Sequence, residues 1–305
     1  MRFLLTALAP LTWGTTYIVT TELLPPDRPL LTGALRALPA GLLLLAAVRT
    51  LPHGSWWWRA AVLGTLNIGA FFPLLFLAAY RLPGGVAAVL GSVQPLIVIG
   101  LSAALLGQSA RPRAVAAGLL GVAGVALVVL RPQSAGFDAL GLVAGLAGAA
   151  AMGAGTVLGK RWGRPDGVGP LTLTAWQLTV GGLLITPLAL AVEGLPPHLT
   201  TTNLAGYGYL ATVNTAVAYW LWWRGLDRIP AASAAFLALL SPVTAVTVGW
   251  LVLDQSLTAV QLAGMALALT ATAAGALTAA PKTSQVAGQS GTEQPRIRPV
   301  ARQVS

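Results

Sequence analysis

Residues 67–95 read NIGAFFPLLFLAAYRLPGGVAAVLGSVQP, and residues 214–242 read NTAVAYWLWWRGLDRIPAASAAFLALLSP. At one offset of 147 residues, Asn67 falls on Asn214, Arg81 on Arg228, Pro83 on Pro230 and Pro95 on Pro242. Apolar segments match one another by composition alone, so the aligned Leu and Ala decide nothing. Matched polar and proline positions at a constant offset point instead to a duplicated unit.

The correspondence extends outward in both directions. Gln108-Ser109 falls on Gln255-Ser256 at the same offset. Gly41-Leu42-Leu43 aligns with Gly182-Leu183-Leu184 at 141, which places Arg36 on Gln177, and Trp13-Gly14 aligns with Met152-Gly153 at 139. The offset changes only at connectors, as differing loop lengths require.

Each unit holds five apolar segments near the ~20 residues that cross about 30 Å of hydrocarbon. They fall at 3–21, 30–48, 60–80, 84–106, 114–130, 139–159, 171–191, 204–223, 231–253 and 259–279. Turn chemistry separates them, as in Pro25-Pro26, Pro52-His53-Gly54, Arg131-Pro132 and Leu195-Pro196-Pro197. The expected organisation is two five-helix units, 1–131 and 138–280, followed by a disordered cytoplasmic tail, 281–305, rich in Ser, Gln, Gly and Pro. The first segment follows a single Arg2 but ends in Trp13, Thr15, Thr16 and Tyr17 with no small-residue cleavage site. It therefore reads as a retained helix rather than a signal peptide.

Composition agrees. Hydrophobic residues make up 56% of the chain and charged residues 9%, with mean hydropathy +0.76. A soluble surface needs about 25% charge, so a soluble enzyme and a disordered chain are both excluded. The absence of cysteine removes disulfides, thiolate nucleophiles and thiolate metal sites. His53 and His198 lie in connectors, too few to build a zinc site, and no metal or cofactor is expected.

The net charge of +10 is scattered in ones and twos, which argues against nucleic acid and for topology signals. With the N-terminus inside, three of the 18 basic residues (Arg28, Arg81 and Arg131) fall outside and Arg36 falls within a helix. The remaining fourteen lie inside, which puts both termini in the cytoplasm. Because five is odd, the second unit crosses the bilayer in the opposite sense. The reading is an all-α membrane protein, ten transmembrane helices as two inverted five-helix repeats. Inverted repeats belong to alternating-access transporters, with the substrate near the midplane between the halves.

The Trp13-Gly14-Thr15-Thr16 start, Arg36, the Arg81-Leu82-Pro83 and Asp227-Arg228-Ile229-Pro230 turns, and Gln94-Pro95 and Ser241-Pro242 together resemble the drug/metabolite transporter superfamily. More narrowly, they are similar to its ten-helix branch with two EamA domains, over about residues 3–280. The resemblance implies an inner-membrane permease for a small metabolite such as an amino acid, commonly working as an efflux system. It departs at Gln108 and Gln255, where the family often carries glutamate.

Residue types nominate a site. Pro95 and Pro242 each remove a backbone hydrogen bond mid-helix, and paired interruptions point to a transporter's centre. Their neighbours Gln94 and Ser241 are expected to line a cavity. Asn67, Asn214 and Gln177, beside Trp176, either bridge helices or face that cavity. Arg36, a charge costing at least ~2.5–3.5 kcal/mol near the bilayer centre, either attracts a substrate anion, or snorkels to the interface or pairs with Glu22 at the outer end of the first helix. Trp13, Tyr17, Phe71, Phe72, Tyr219 and Trp220 could supply aromatic walls, and Trp176 is a further cavity candidate. The third, fourth, eighth and ninth segments are expected to line most of the cavity, with the first and sixth contributing.

Trp56–Trp58 and Trp222-Trp223 read as an interfacial aromatic belt. Gly141-x3-Gly145 and Gly155-x3-Gly159 read as close internal packing, or as a homodimer face. No mid-membrane carboxylate relay, phosphate-binding Gly-rich loop or catalytic triad is present, so no enzyme is expected. The expected partners are a small-molecule substrate and the lipid bilayer. The rival reading is a non-transporting sensor or assembly subunit on the same scaffold.

Overall fold

The computed structural model describes residues 2–26, 28–81, 90–129, 138–252 and 258–278, with the side chain of Tyr17 outside that description. The expected tail, Pro83, Arg131-Pro132, Asp254 and Gln255 lie outside the described residues. Among those described there is helix and no strand.

Among the described residues, helical backbone forms ten rods. These are α1, Phe3–Leu23; α2, Pro29–Val48; α3, from Trp56–Gly64 through Thr65–Ala70 to Phe71–Arg81; α4, Leu90–Leu106; and α5, Pro112–Val129. Then follow α6, Ala139–Trp162; α7, Pro170–Val192; α8, from Thr201–Ala211 through Thr212–Val217 to Ala218–Leu226; α9, Ala231–Val252; and α10, Ala259–Thr278. Six of them, α1, α2, α3, α6, α7 and α9, are long and apolar enough to cross a membrane. Their outward faces carry exposed Leu43, Leu183 and Leu184, a surface suited to lipid and not to water.

Local chemistry sets the ends. Pro29, Pro112 and Pro170 open α2, α5 and α7, where a missing N–H costs nothing. Asp138 caps α6 by accepting from the Gly141 N–H at 2.9 Å, and Thr200 with Asn203 forms a capping box on α8. Gly107 stops α4 at a left-handed φ of +63°. Glu193, at the end of α7, accepts from the Leu30 and Leu31 N–H groups at 2.7 and 2.8 Å, so its carboxylate caps the start of α2.

The most extensive packing joins α2 to α7 and α5 to α10; α3 packs on both α6 and α7, α4 on α6, and α8 and α9 on α1. Glycines allow the crossings. A Cβ on Gly182 would stand 2.6 Å from Leu38 Cα, and one on Gly41 would strike the Leu178–Thr179 backbone. A Cβ on Gly14 would lie 2.5 Å from Thr244 Cβ, and one on Gly153 would lie 3.2 Å from Ile97. The small residues of α6 work inside the molecule: Gly145 abuts Leu90, Gly155 abuts Asn67 and Gly159 abuts Trp223.

Three expectations need correction. Helix α8 continues to Leu226, so Trp222 and Trp223 do not end a span at the interface; they are 0% and 2% exposed, in the core. Helix α3 starts at Trp56, which is buried, while Trp57 and Trp58 stay exposed as a belt would have them. Pro95 and Pro242 do not merely kink continuous helices. The α-helical pattern breaks just before each, two residues ahead of Pro95 at Val93 and three to four ahead of Pro242 at Ala238-Leu239, with i→i−3 bonds such as Leu96 N–H to Val93 and Ser241 N–H to Ala238.

Candidate functional site

Two π turns organise the interior. Thr65–Ala70 in α3 and Thr212–Val217 in α8 lie 147 residues apart, and each carries a fully buried asparagine as its third residue. Such wide turns recur at functional positions.

Asn214 ties three helices together. Its Oδ1 accepts from Arg36 Nη2 at 2.6 Å and from the Thr16 hydroxyl at 3.0 Å. Its Nδ2 donates to the Thr12 carbonyl at 2.5 Å and to Thr15 Oγ1 at 3.4 Å. The Thr15 hydroxyl also meets Tyr209 OH at 2.7 Å. Arg36 Nε donates to Thr215 Oγ1 at 2.7 Å, and its guanidinium lies 4.5 Å from the Phe72 ring centroid. Hydrogen bonds to a buried charge contribute about 1.5–3 kcal/mol each, so Asn214 and Thr215 offset much of the cost of Arg36. These bonds run to α8.

The equivalent place in the other half is simpler. Asn67 Nδ2 donates to Gln177 Oε1 at 2.7 Å, Gln177 Nε2 reaches the Leu173 carbonyl at 3.4 Å, and Asn67 Oδ1 has no partner. Gly155 packs directly on that amide.

Between the two networks lies a cavity of about 680 Å³. Seven helices line it: α1 (Trp13, Thr16, Thr20), α2 (Arg36), α3 (Phe71, Leu75, Phe76), α4 (Ser92, Gln94, Pro95), α6 (Ala149, Met152), α8 (Tyr219) and α9 (Leu239, Ser241, Pro242). It extends to Leu24 and Pro26 in the α1–α2 connector. The wall is apolar and aromatic with a few polar groups, the composition of a small-molecule site. Trp13 stacks obliquely on Tyr219 at 5.1 Å and on Trp222 at 5.2 Å.

Of the residues nominated from sequence, Trp13, Arg36, Phe71, Gln94, Tyr219 and Ser241 meet on this wall with Pro95 and Pro242. Asn67, Gln177 and Asn214 stand behind it as bridges. Trp176 is elsewhere, donating from Nε1 to the Thr50 carbonyl at 2.7 Å and packing on Trp56. Sequence reasoning missed Thr16, Ser92 and Met152. The repeat contained a signal for Met152, which aligns with Trp13.

At the end away from the α1–α2 connector, the α6–α7 and α8–α9 connectors of the second half are tied together. Arg164 pairs with Asp227 at 3.0 Å, and Lys160 Nζ donates to the carbonyls of Leu226 and Ile229 at 2.7 and 3.1 Å. Burial raises the Asp227 carboxyl above the ordinary aspartate range, against the opposing pull of Arg164 and Lys160. At the other end Arg81 meets Asp138 at 3.1 Å in an exposed pair. The described residues hold no cluster of His, Asp or Glu suited to a metal.

Comparison with known proteins gives consistent matches. Residues 2–130 and 139–274 each match the EamA-like transporter family. Protein PecM of Dickeya dadantii is 48% identical over 84% of this chain and 86% of its own length. A WAT1-related chloroplast protein of Arabidopsis thaliana is 28% identical over 85% of this chain and 65% of its own length. The uncharacterized inner membrane transporter YedA of Escherichia coli is 27% identical over 78% of each chain. A solved crystal structure superposes with a TM-score of 0.77 at 22% identity, over 91% of this chain and 97% of that one, a likeness of fold.

Proposed function

The chain belongs to the EamA-like transporter family, and on that premise we propose that it carries a small amphipathic metabolite across the inner membrane by alternating access between two inverted five-helix repeats. All ten rods would span the bilayer, with both termini in the cytoplasm. Arg49, Arg111, Arg164 and Arg228 then share the cytoplasmic end, in keeping with the positive-inside bias.

The observation that carries this reading is the symmetry of the cavity wall. Under the repeat offsets Trp13 pairs with Met152, Ser92 with Leu239, Gln94 with Ser241, and Pro95 with Pro242, and all eight line the cavity. Packing follows the same rule. The pairs α2–α7 and α5–α10 map onto themselves, while α3–α6 maps onto α8–α1 and α4–α6 onto α9–α1. An exchange of the two halves' conformations therefore keeps the floor and moves the opening.

The present cavity reaches Thr20, Thr21 and the α1–α2 connector, the outer end in this topology. Its outer flank, Thr21, Phe71, Leu75 and Phe76, corresponds to Lys160, Ala218, Trp222 and Trp223, which are now packed. Trp222 Nε1 and Trp223 Nε1 are buried without hydrogen-bond partners, a cost of about 1–3 kcal/mol each that solvent would relieve on opening. These residues form the inner half of the path, and the Lys160–Asp227–Arg164 ties close it.

Purified protein in proteoliposomes, tested for counterflow with labelled amino acids, other organic acids, nucleosides and sugars, tests transport. Accumulation of one class, reduced in Gln94→Ala and Ser241→Ala, supports the reading. A protein that moves nothing but changes a partner protein's activity would favour the sensor reading.

A further inference from the structure

The cytoplasmic end of α3 carries an arrangement that transport does not use. The side chain of Arg59 is surrounded by three indoles, at 5.4 Å from the Trp56 ring centroid, 5.6 Å from Trp58 and 6.0 Å from Trp162 of α6. Trp58 and Trp162 stand edge-to-face at 5.0 Å. The Arg59 Nε is buried with no hydrogen-bond partner among the described residues, and its guanidinium lies against these three rings.

A guanidinium has five N–H donors in a planar fork that suits phosphate. Ring faces attract its charge but satisfy none of those donors well. Neither α3 nor α6 contains an acidic residue, so no carboxylate from either helix can complete the site. Trp57 and Trp58 are more than half exposed beside it, as indoles are at the headgroup level of a bilayer. Arg161 adjoins Trp162 and Arg49 ends α2, adding positive charge at the same end of the molecule.

We propose that Arg59, with Trp58 and Trp162, is a binding site for the phosphate of an anionic phospholipid, held at the α3–α6 seam in the cytoplasmic leaflet. The fork takes the phosphate oxygens, and the exposed indoles lie along the glycerol and upper acyl region. Binding joins the first half of the molecule to the second beside the Gly159–Trp223 contact. The site stands on Arg59 and its rings, independently of what the cavity carries.

The test is the melting temperature of the detergent-purified full chain with phosphatidylglycerol, with phosphatidylcholine, or with inorganic phosphate. Phosphatidylglycerol is expected to raise it about 2–4 °C beyond phosphatidylcholine. Arg59→Gln should remove that increment, and 0.5 M salt should reduce it in the unmodified protein, which requires no variant to fold. Equal stabilisation by both lipids, or an increment unchanged in Arg59→Gln, overturns the proposal. Inorganic phosphate giving the full increment overturns the lipid assignment and leaves a free-anion site. Counterflow is read separately, so loss of lipid selectivity with transport intact distinguishes this failure from failure of the transporter reading.

Discussion

Asn67 and Asn214 occupy the same third position of two π turns 147 residues apart, yet they hold different partners. Asn67 bonds Gln177 at 2.7 Å, and Asn214 bonds Arg36 at 2.6 Å, the residues that the repeat itself aligns. One half thus places a cation on the cavity wall where the other keeps a neutral amide behind it. A symmetric scaffold has acquired an asymmetric site.

That asymmetry predicts unequal costs. Asn214→Ala removes the bonds that satisfy a buried guanidinium and should lower unfolding free energy by about 2–3 kcal/mol. Asn67→Ala loses one neutral bond and should cost about 1 kcal/mol. Arg36→Gln, which imitates the other half, should cost less than Asn214→Ala. Unfolding in mixed micelles orders the three.

Close helix approach predicts a position-specific effect of one methyl group. Gly155→Ala drives a Cβ into the Asn67 amide and should destabilise by about 1–3 kcal/mol. Gly100→Ala meets nothing within 4 Å and should be neutral or slightly stabilising. Thermal melts of the two variants side by side make the comparison.

The Asp227 carboxyl gives a pH signature. Its folded value is raised above the ordinary 3.8, so the folded state binds its proton more tightly than the unfolded state. Stability contributed by this group is therefore lost as pH rises from 3.8 through the raised value. Subtracting Asp227→Asn melts from those of the unmodified protein should leave a difference that falls across that window and is flat above it.

Much of this architecture was legible in the chain. Duplication followed from Asn67/Asn214 and Pro95/Pro242, and the ten segments from runs of apolar residues whose only internal charge was Arg36. The π turns were not, because a register shift of one residue leaves no mark in composition. Trp222 and Trp223 misled because an indole at a helix end resembles an interfacial anchor until the helix is seen to continue to Leu226. The Arg36 partner was hidden for another reason: it lies 178 residues away, and only the packing of the two halves brings it near. Asn67 and Gln177 could be read as polar and buried, but whether they face a cavity or each other depends on side-chain geometry across α3 and α7.

The closing ties predict a gate. Arg164→Gln or Asp227→Asn frees the α6–α7 and α8–α9 connectors from each other and should shift the protein toward the inward-open form. Counterflow of a transported solute should then change in rate, while the Arg81–Asp138 end stays intact.

The most direct measurement uses the natural absence of cysteine. Thr21→Cys, on the present cavity, and Ala218→Cys, at the position equivalent to Phe71, are each labelled with a membrane-impermeant thiol reagent, from outside and in inside-out vesicles respectively. Each is compared with and without Asp227→Asn. Alternating access predicts a reciprocal change: labelling at 21 falls as labelling at 218 from the cytoplasmic side rises. Labelling at 218 that never responds, or that rises together with labelling at 21, would contradict it.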